Sequence, residues 1–433
     1  MKKKTILFAI FAASLIALTS CQALFSDDDL SIYNSFNSIV SIPKSEDTTS
    51  GVRAGGVLAK EIPEVPDGYC FKNISYATDE KITNTYKTDG GVNHVEYNVN
   101  GGEDYPGNKS NTNYDLYVPK SLDKNSKHTV VLFIHGGAWI SGFKTDVNQY
   151  VYEFANRGYI SATIKYSLLK RTMDDASLSI FRNLDEIDAC IGSIKNVLGE
   201  LGFDTSKTNL VIGGASSGAH LTMLYAYSRG NRCPLPIKFL IDAVGPVDIK
   251  PENWKRFVNA SDTVLDGGLT YSAIETQRTN GNLGKLQVAD DGSSDPYFWN
   301  DYQTMRIANG MCGIPYSLIE IQNTTDEAKE QVLYPNDASN SMLKAGGGED
   351  QLSVTYWMNA TTDKYPMVCA YAGRDSVVGI AQFAKLEQTM IAKGVDYDLV
   401  YFRNGNHIDI TKEKDEEKYN QFVNKILTRL AAI

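Results

Sequence analysis

Short, continuously apolar runs alternate with longer segments whose apolar residues recur every three or four positions over residues 129–430. The run at 129–134 is typical of a strand that is covered on both faces, and 210–212 and 237–244 are predicted to be further strands. The segment 180–198 places its apolar residues on one face of a helix. Because strands that alternate with helices pair in parallel, the sequence predicts a mostly parallel, doubly wound α/β sheet.

The rest of the chain either extends this pattern or interrupts it. The remaining predicted elements are strands at 160–165, 366–372 and 397–402, and helices at 380–390 and 419–430. Residues 66–118 alternate strand-like pieces with Asn and Gly turns, which predicts hairpins at one edge of the sheet. The rhythm stops over 250–364, which we interpret as a cap-like insertion within a single domain at 66–433.

The first residues are typical of an export signal. Three lysines precede a short apolar stretch at 6–18, which favours a cleaved signal over a retained transmembrane anchor. Leu-Thr-Ser-Cys, ending at Cys21, resembles a bacterial lipoprotein signal, so 1–21 is predicted to be a signal peptide with a lipid-carrying cysteine. Residues 22–65 are predicted to be a flexible tether. The expected location is the periplasmic or outer surface of a bacterial membrane, with the lipid as the only membrane contact.

The charge of the chain bears on its partners. The formal net charge is −10, and lysines and arginines do not cluster outside the N-terminus. A nucleic-acid partner requires a positive surface, so the sequence predicts none.

Six cysteines occur in the chain. Cys190 and Cys369 fall at apolar positions of a predicted helix and strand and are expected in the core. Cys70, Cys233 and Cys312 remain, and an exported protein could pair two of them. The sequence alone leaves that pairing open.

The strongest chemical signal is the G-x-S-x-G sequence at 214–218, centred on Ser216. It comes directly after a predicted strand and directly before a predicted helix. Small residues beside the serine permit a sharp, strained turn that exposes the hydroxyl. Glycine-rich serine sequences also occur in ordinary turns, but this placement favours a nucleophile.

A serine nucleophile needs a base, and histidine has the pKa suited to that role near neutral pH. Of the five histidines, His94 and His128 are expected at the surface and His135 in ring packing. His220 follows the serine by one helical turn and is expected to face away from it. His407 follows the predicted strand at 397–402, so it is the predicted base.

The base needs a carboxylate that fixes its tautomer. Asp375 directly follows the predicted strand at 366–372 and is the preferred candidate, whereas Asp409 is the weaker alternative. The chain order Ser216, Asp375, His407 is that of α/β-hydrolases.

Acyl transfer also requires hydrogen-bond donors for the developing oxyanion. His-Gly-Gly-Ala-Trp at 135–139 follows the early central strand, where glycines allow a close turn. The predicted donors are the backbone N–H groups of Gly137, Ala138 and Ser217. An ordinary glycine turn is the alternative for this loop.

Together these motifs resemble the α/β-hydrolase carboxylesterases related to hormone-sensitive lipase and to bacterial feruloyl and acetyl esterases. The resemblance spans about 112–430 and is carried by 114–119, 135–139 and 204–221, with a weaker similarity at 352–354. It implies an α/β-hydrolase fold, with an inserted cap, and triad roles for Ser216, Asp375 and His407. Ala138 and Ser217 depart from the usual residues, but each keeps its backbone donor.

The resemblance implies hydrolysis of carboxylic esters through an acyl-enzyme, on a small-molecule or glycan-linked ester, without metal or organic cofactor. Amide or peptide hydrolysis on the same triad, or an inactive surface-binding lipoprotein, are the alternatives. Trp254, Trp299 and Trp357 could line a sugar- or aromatic-binding cleft, although core packing is the more common role.

Overall fold

The structure is a computed structural model. It describes residues 51–76, 84–89, 92–97, 112–139, 142–168, 180–249, 316–322, 329–335, 349–375 and 377–433. Within these ranges, no helix is both long and apolar enough to cross a membrane. The predicted signal peptide with Cys21, the proposed tether up to residue 50, Cys312 and two of the tryptophans of the insertion lie outside them.

Strands account for the centre of the domain. In chain order they are β1 (Arg53–Ala54), β2 (Val57–Leu58), β3 (Lys60–Ile62), β4 (Val65–Ser75), β5 (Asn84–Asp89), β6 (Val92–Tyr97), β7 (Asn113–Pro119), β8 (His128–Ile134), β9 (Ile160–Lys165), β10 (Thr208–Ala215), β11 (Ile237–Ala243), β12 (Tyr316–Gln322), β13 (Lys329–Pro335), β14 (Met367–Ala372) and β15 (Tyr397–Phe402).

A nine-stranded sheet has the order β15-β14-β11-β10-β8-β9-β7-β4-β3. The strands from β15 to β9 in this order pair in parallel, whereas β9–β7, β7–β4 and β4–β3 pair antiparallel. The pairs β1–β2, β5–β6 and β12–β13 form separate two-stranded sheets. The antiparallel pieces predicted near 66–118 are therefore confirmed, and β4 and β7 join the edge of the main sheet.

Helices flank this sheet. They are α1 (Asn148–Asn156), α2 (Ile180–Glu200), α3 (Ser217–Arg229), α4 (Val354–Ala360), α5 (Ile380–Lys393) and α6 (Glu416–Ala431). Tyr150 of α1 packs against Tyr419 and Phe422 of α6, whereas α3 contacts α2 and α4, and α4 contacts α5. The helices thus form two groups, each held together by its own contacts. Every residue of β8 is buried, because this central strand is covered on both faces.

One predicted boundary differs from the structure. The tether predicted over 22–65 ends earlier, because β1, β2 and β3 already occupy 53–62 and β3 forms the edge of the sheet. Glycine in this stretch supports tight turns: Gly55 has φ +56°, and a Cβ there would lie 2.7 Å from Ile74. Of the predicted insertion at 250–364, the structure describes β12, β13 and the segment from 349 that contains α4.

The cysteines within the described part of the chain are not in disulfides. Cys190 and Cys369 are buried, as predicted for core residues. Cys70 is buried in β4 and Cys233 is half-buried, and neither is in a disulfide. A disulfide between Cys70 and Cys233 is therefore excluded.

Candidate active site

Ser216 lies at the sharp junction between β10 and α3. Its backbone has φ 54° and ψ −123°, a conformation that costs a non-glycine residue about 1–3 kcal/mol. The Ser216 N–H donates to the Ala243 carbonyl at the end of β11 (2.8 Å), and the His220 N–H donates to the Ser216 carbonyl (3.1 Å). These bonds hold the strained turn while the serine side chain stays half-buried.

Two glycines allow the chain to pack closely around this turn. A Cβ on Gly214 would lie 2.3 Å from the carbonyl carbon of Gly218, and a Cβ on Gly218 would lie 2.2 Å from the Ile134 oxygen. Real Cβ atoms essentially never approach backbone closer than 3.0 Å, so both positions require glycine. The spacing of the G-x-S-x-G sequence therefore follows from packing.

The side chains predicted to act together meet at this turn. The Nε2 atom of His407 lies 2.9 Å from the Ser216 Oγ. The Nδ1 atom of the same ring lies 2.7 Å from the Asp375 Oδ2. Serine, imidazole and carboxylate thus form one continuous hydrogen-bonded chain.

Asp375 is held by backbone donors on its other oxygen. The N–H groups of Val377 and Val378 both donate to Asp375 Oδ1 at 2.8 Å, so Oδ2 is directed to the imidazole. The Asp375 side chain is 0% exposed and that of His407 is 13% exposed. Asp409, the weaker alternative, instead accepts the Asn406 N–H at 2.8 Å.

The three side chains come from the carboxyl ends of three parallel strands. Ser216 follows β10, Asp375 follows β14 and His407 follows β15, and the serine occupies a strand-to-helix turn. The protein has the α/β-hydrolase fold. The predicted parallel sheet and the predicted fold class are confirmed.

The glycine loop at 135–139 lies directly beside Ser216. A Cβ on Gly136 would lie 3.1 Å from the Ser216 Cβ, so the loop passes within contact distance of it. Gly137, Ala138 and Trp139 have φ of 117°, 50° and 62°, a succession of positive values that turns the chain sharply. Both Gly137 and Ala138 are half-buried.

Ser217, the third predicted oxyanion donor, is the first residue of α3. The first N–H groups of a helix have no acceptor within the helix, and the helix dipole places partial positive charge there. The Ser217 amide is therefore suited to binding an anion beside Ser216. The oxyanion role of these three amides remains a prediction.

His135 shapes the loop rather than transferring protons. Its ring stacks on Tyr166 with a centroid distance of 4.3 Å, and its Nδ1–H donates to the Gly136 carbonyl at 2.7 Å. Burial lowers the pKa of His135 to about 4, so the ring is neutral. The expectation of ring packing is confirmed.

His220 and His128 also bond or pack away from the Ser216 hydroxyl. The Nε2–H of His220 donates to the Leu352 carbonyl at 2.8 Å, and burial lowers its pKa to about 4, as expected for a packed residue. The surface position predicted for His128 is wrong, because its ring is buried edge-on against Phe203. This difference arises because β8 begins at His128 and carries it into the interior. His94 lies on β6, and its side chain is outside the description.

A buried lysine beside the loop was not predicted. The Nζ of Lys144, two residues beyond Gly142, donates to Asn73 (2.6 Å), Asn113 (2.5 Å) and Asp115 (2.6 Å). These partners come from β4 and β7, so the lysine fixes the far end of the loop to the sheet. Burial lowers the pKa of Lys144, and Asp115 opposes that effect. The sequence signal, a lysine soon after a glycine loop, does not identify its distant partners.

Among the described residues, no group of three or more His, Cys, Asp or Glu side chains is arranged to hold a metal ion. The polar groups gathered around Ser216 instead form the serine–histidine–aspartate chain.

A protein-family model matches part of the chain. The family model described as BD-FAE, an α/β-hydrolase esterase family, matches residues 114–273, which is less than half of the chain. The match begins in β7 and includes the glycine loop and Ser216, whereas Asp375 and His407 lie beyond it.

A curated relative matches over a shorter stretch. The non-reducing polyketide synthase adrD of Penicillium rubens is 29% identical over 149 residues, which is 33% of this chain and 6% of the synthase. The chain therefore spans only a small fraction of that relative's length.

Solved structures of esterases match more of the chain at low identity. Esterase B from Lactobacillus rhamnosis is 13% identical, with a TM-score of 0.46, over 82% of this chain and 87% of that one. Esterase 2 of Thermogutta terrifontis, phosphoramylated by tabun, is 13% identical, with a TM-score of 0.47, over 86% of this chain and 96% of that one.

Proposed function

We propose that this α/β-hydrolase is a serine hydrolase that cleaves carboxylic esters through an acyl-enzyme intermediate. The observation that carries this proposal is the hydrogen-bonded chain from Ser216 Oγ through the His407 ring to Asp375. The BD-FAE match over 114–273 supports an ester substrate.

The proposed attack uses the two nitrogens of one ring differently. The Ser216 hydroxyl donates to His407 Nε2, so Nδ1 carries the hydrogen and donates to Asp375. As Oγ bonds to the substrate carbonyl carbon, its proton passes to Nε2. The Asp375 carboxylate stabilises the imidazolium that results, and the Val377 and Val378 amides keep it in place.

The carbonyl oxygen becomes negative in this step. We assign its stabilisation to the N–H groups of Gly137, Ala138 and Ser217, which border Ser216 in the loop and at the start of α3. The loss of one such donor costs a rate factor of about 10²–10³. The imidazolium then protonates the leaving alcohol, and water, deprotonated by the same ring, releases the acid from Ser216.

The finer substrate proposal is an acyl group on carbohydrate. It follows from the resemblance to feruloyl and acetyl esterases. Trp357 does not contribute an aromatic platform, because it is 6% exposed and its Nε1–H donates to the Gln351 carbonyl. Its ordinary packing role agrees with the more common alternative. Trp254 and Trp299 lie outside the described residues.

The proposed cellular setting comes from the N-terminal sequence. We propose that Cys21 carries the lipid and that the catalytic domain is exposed at a bacterial membrane surface. Among the described residues the first strand starts at residue 53, about thirty residues after Cys21.

Labelling with a fluorophosphonate, which reacts with activated serines, tests the proposal on the full-length protein in detergent. We expect wild type to be labelled, Ser216→Ala to resist labelling, and Ser228→Ala on the same helix to label normally. The same proteins are then assayed with p-nitrophenyl acyl esters of increasing length and with aminoacyl anilides. Wild type should hydrolyse the esters, with acetyl preferred if carbohydrate decorations are the substrate.

Two results would contradict the proposal. Absence of labelling in wild type would favour an inactive binding protein that keeps the fold. Faster hydrolysis of anilides than of esters would replace the esterase by an amidase with the same nucleophile.

A further inference from the structure

A buried carboxyl lies next to the turn that supports the serine. Asp242, in β11, is 0% exposed, and its Oδ2 lies 2.8 Å from the hydroxyl oxygen of Tyr371 in β14. The same hydroxyl oxygen lies 2.5 Å from the Gly245 carbonyl oxygen. The Gly245 N–H donates to Asp242 Oδ1 at 2.9 Å.

The hydrogens available to these atoms restrict the protonation state. A tyrosine hydroxyl has one hydrogen and donates once, and both a carbonyl and an ionised carboxylate only accept. With Asp242 ionised, Tyr371 could satisfy only one of its two short contacts. With Asp242 protonated, Oδ2–H donates to Tyr371, Tyr371 donates to the Gly245 carbonyl, and the Gly245 N–H donates to Asp242. These three hydrogen bonds form a closed ring through Asp242, Tyr371 and Gly245, in which every polar atom is paired.

The surroundings favour the neutral acid. Burial raises the pKa of Asp242 to about 7, even with Tyr371 and the Gly245 N–H both counted as donors to the carboxylate. Burial also raises the pKa of Tyr371 well above its ordinary value, so the phenol keeps its hydrogen. Among the described residues, the other titratable groups that act most strongly on this pair are Cys369 of β14 and Asp375, neither of which is a cation. The neighbouring helix α3 contributes the apolar Ala219 and Met223 at Gly245.

The hydrogen-bonded ring joins the two ends of the short segment 242–245, which contains the acceptor of the Ser216 N–H. Between Asp242 and Gly245, the Ala243 carbonyl accepts the Ser216 N–H at 2.8 Å. Val244 has φ 51°, an unfavourable conformation for a β-branched residue. The Val244 N–H donates to the Ala370 carbonyl of β14 at 2.9 Å. The strained turn is therefore hydrogen-bonded both to Ser216 and to β14. Loosening the ring would therefore release the acceptor of Ser216.

We propose that Asp242 is a neutral carboxylic acid in the active enzyme, and that its hydrogen-bonded ring with Tyr371 and Gly245 makes it a positioning residue for Ser216. The positioning role rests on the proposed function, whereas the protonation state does not. Ionisation of Asp242 breaks one bond of the ring and frees the 243–245 turn. Neutral Asn at 242 reproduces the ring, because its amide donates to Tyr371 and its oxygen accepts from Gly245.

The first test measures unfolding of Asp242→Asn and wild type as a function of pH. Because the folded state retains a proton that the unfolded chain loses near pH ~4, the unfolding constant of wild type should rise about tenfold per pH unit, relative to Asp242→Asn, up to about pH 7. Asp248→Asn is the matched control, since Asp248 lies 4.0 Å from the Lys385 ammonium. That variant should gain no stability over wild type as pH rises. A pH-independent loss of stability in Asp242→Asn would overturn the proposal.

Infrared spectroscopy supplies a direct second measurement. Wild type at pH 6 should show the stretching band of a protonated carboxyl that Asp242→Asn lacks and Asp248→Asn retains. Absence of that band would overturn the neutral acid. Neither this measurement nor the unfolding test requires turnover. An inactive protein would therefore contradict the proposed function, while these two tests would still decide whether Asp242 is protonated.

Kinetics test the positioning role. As pH rises through about 7, wild-type kcat should fall relative to that of Asp242→Asn, at unchanged KM, because only wild type ionises inside the ring. Identical kcat profiles for the two proteins, together with the expected unfolding data, would overturn the positioning role.

Discussion

At the scale of single residues, Asp375 divides its two oxygens between structure and chemistry. Oδ1 accepts the amides of Val377 and Val378, and Oδ2 accepts from the His407 ring. The backbone bonds fix the carboxylate whether or not the histidine is charged. The residue can therefore stabilise an imidazolium without moving.

We predict that Asp375→Asn lowers kcat by about 10⁴, because an amide NH₂ facing Nδ1 stabilises the wrong imidazole tautomer. The thermal midpoint should change little, since the Asn oxygen still accepts the Val377 and Val378 amides. Asp409→Asn is the control and should retain most activity, because Asp409 bonds to Asn406 and not to the imidazole. Steady-state kinetics and thermal melts distinguish the two variants. Equal losses in both would contradict the assignment of Asp375.

Some residues of the site could be predicted from the sequence and others could not. Ser216 and His407 are 191 positions apart, yet each directly follows a strand of recognisable apolar sequence. That placement was sufficient to predict the contact now observed, whereas the catalytic roles remain predictions. Lys144 and Asp242 were not predicted, because their significance lies in burial and in partners from other strands. Periodicity along the chain does not identify such partners.

At the scale of elements, strands and helices were predicted correctly where burial requires a long run or a regular spacing of apolar residues. The strands at 160–165 and 397–402 have the predicted bounds, because all of their residues are buried or half-buried. The helix α1 was not predicted: it has nine residues and no side-chain cap, so its periodic signal is short. Polar, glycine-rich composition likewise suggested a tether where β1 to β3 form.

Glycine substitutions test how helix ends are specified. Gly394 ends α5 with φ +64°, so Gly394→Ala should destabilise the protein by about 1 kcal/mol. Gly192 lies inside α2, and a Cβ there would meet only Pro234 at 3.8 Å. Gly192→Ala should therefore stabilise by about 0.5–1 kcal/mol. Denaturant unfolding measures both changes, and the same sign for both would contradict this account.

At the scale of the whole molecule, sheet register brings the site together. Parallel pairing of β10 with β11, β11 with β14 and β14 with β15 places their carboxyl ends along one edge. The loops after β10, β14 and β15 therefore meet although they are far apart in sequence. This follows from the α/β alternation alone, which is why the fold and the triad were predicted together.

The final prediction concerns attachment of this domain to a membrane. Cys21→Ser should move the protein from the membrane fraction to the soluble fraction and abolish incorporation of radiolabelled fatty acid, because each buried methylene contributes about 0.8 kcal/mol to membrane binding. Cys233→Ser, at a half-buried free thiol, is the control and should stay with the membrane. Ester hydrolysis per mole should be equal in the two variants, since Cys21 lies far along the chain from Ser216, Asp375 and His407. Membrane attachment that survives Cys21→Ser would mean that another part of the chain binds the bilayer.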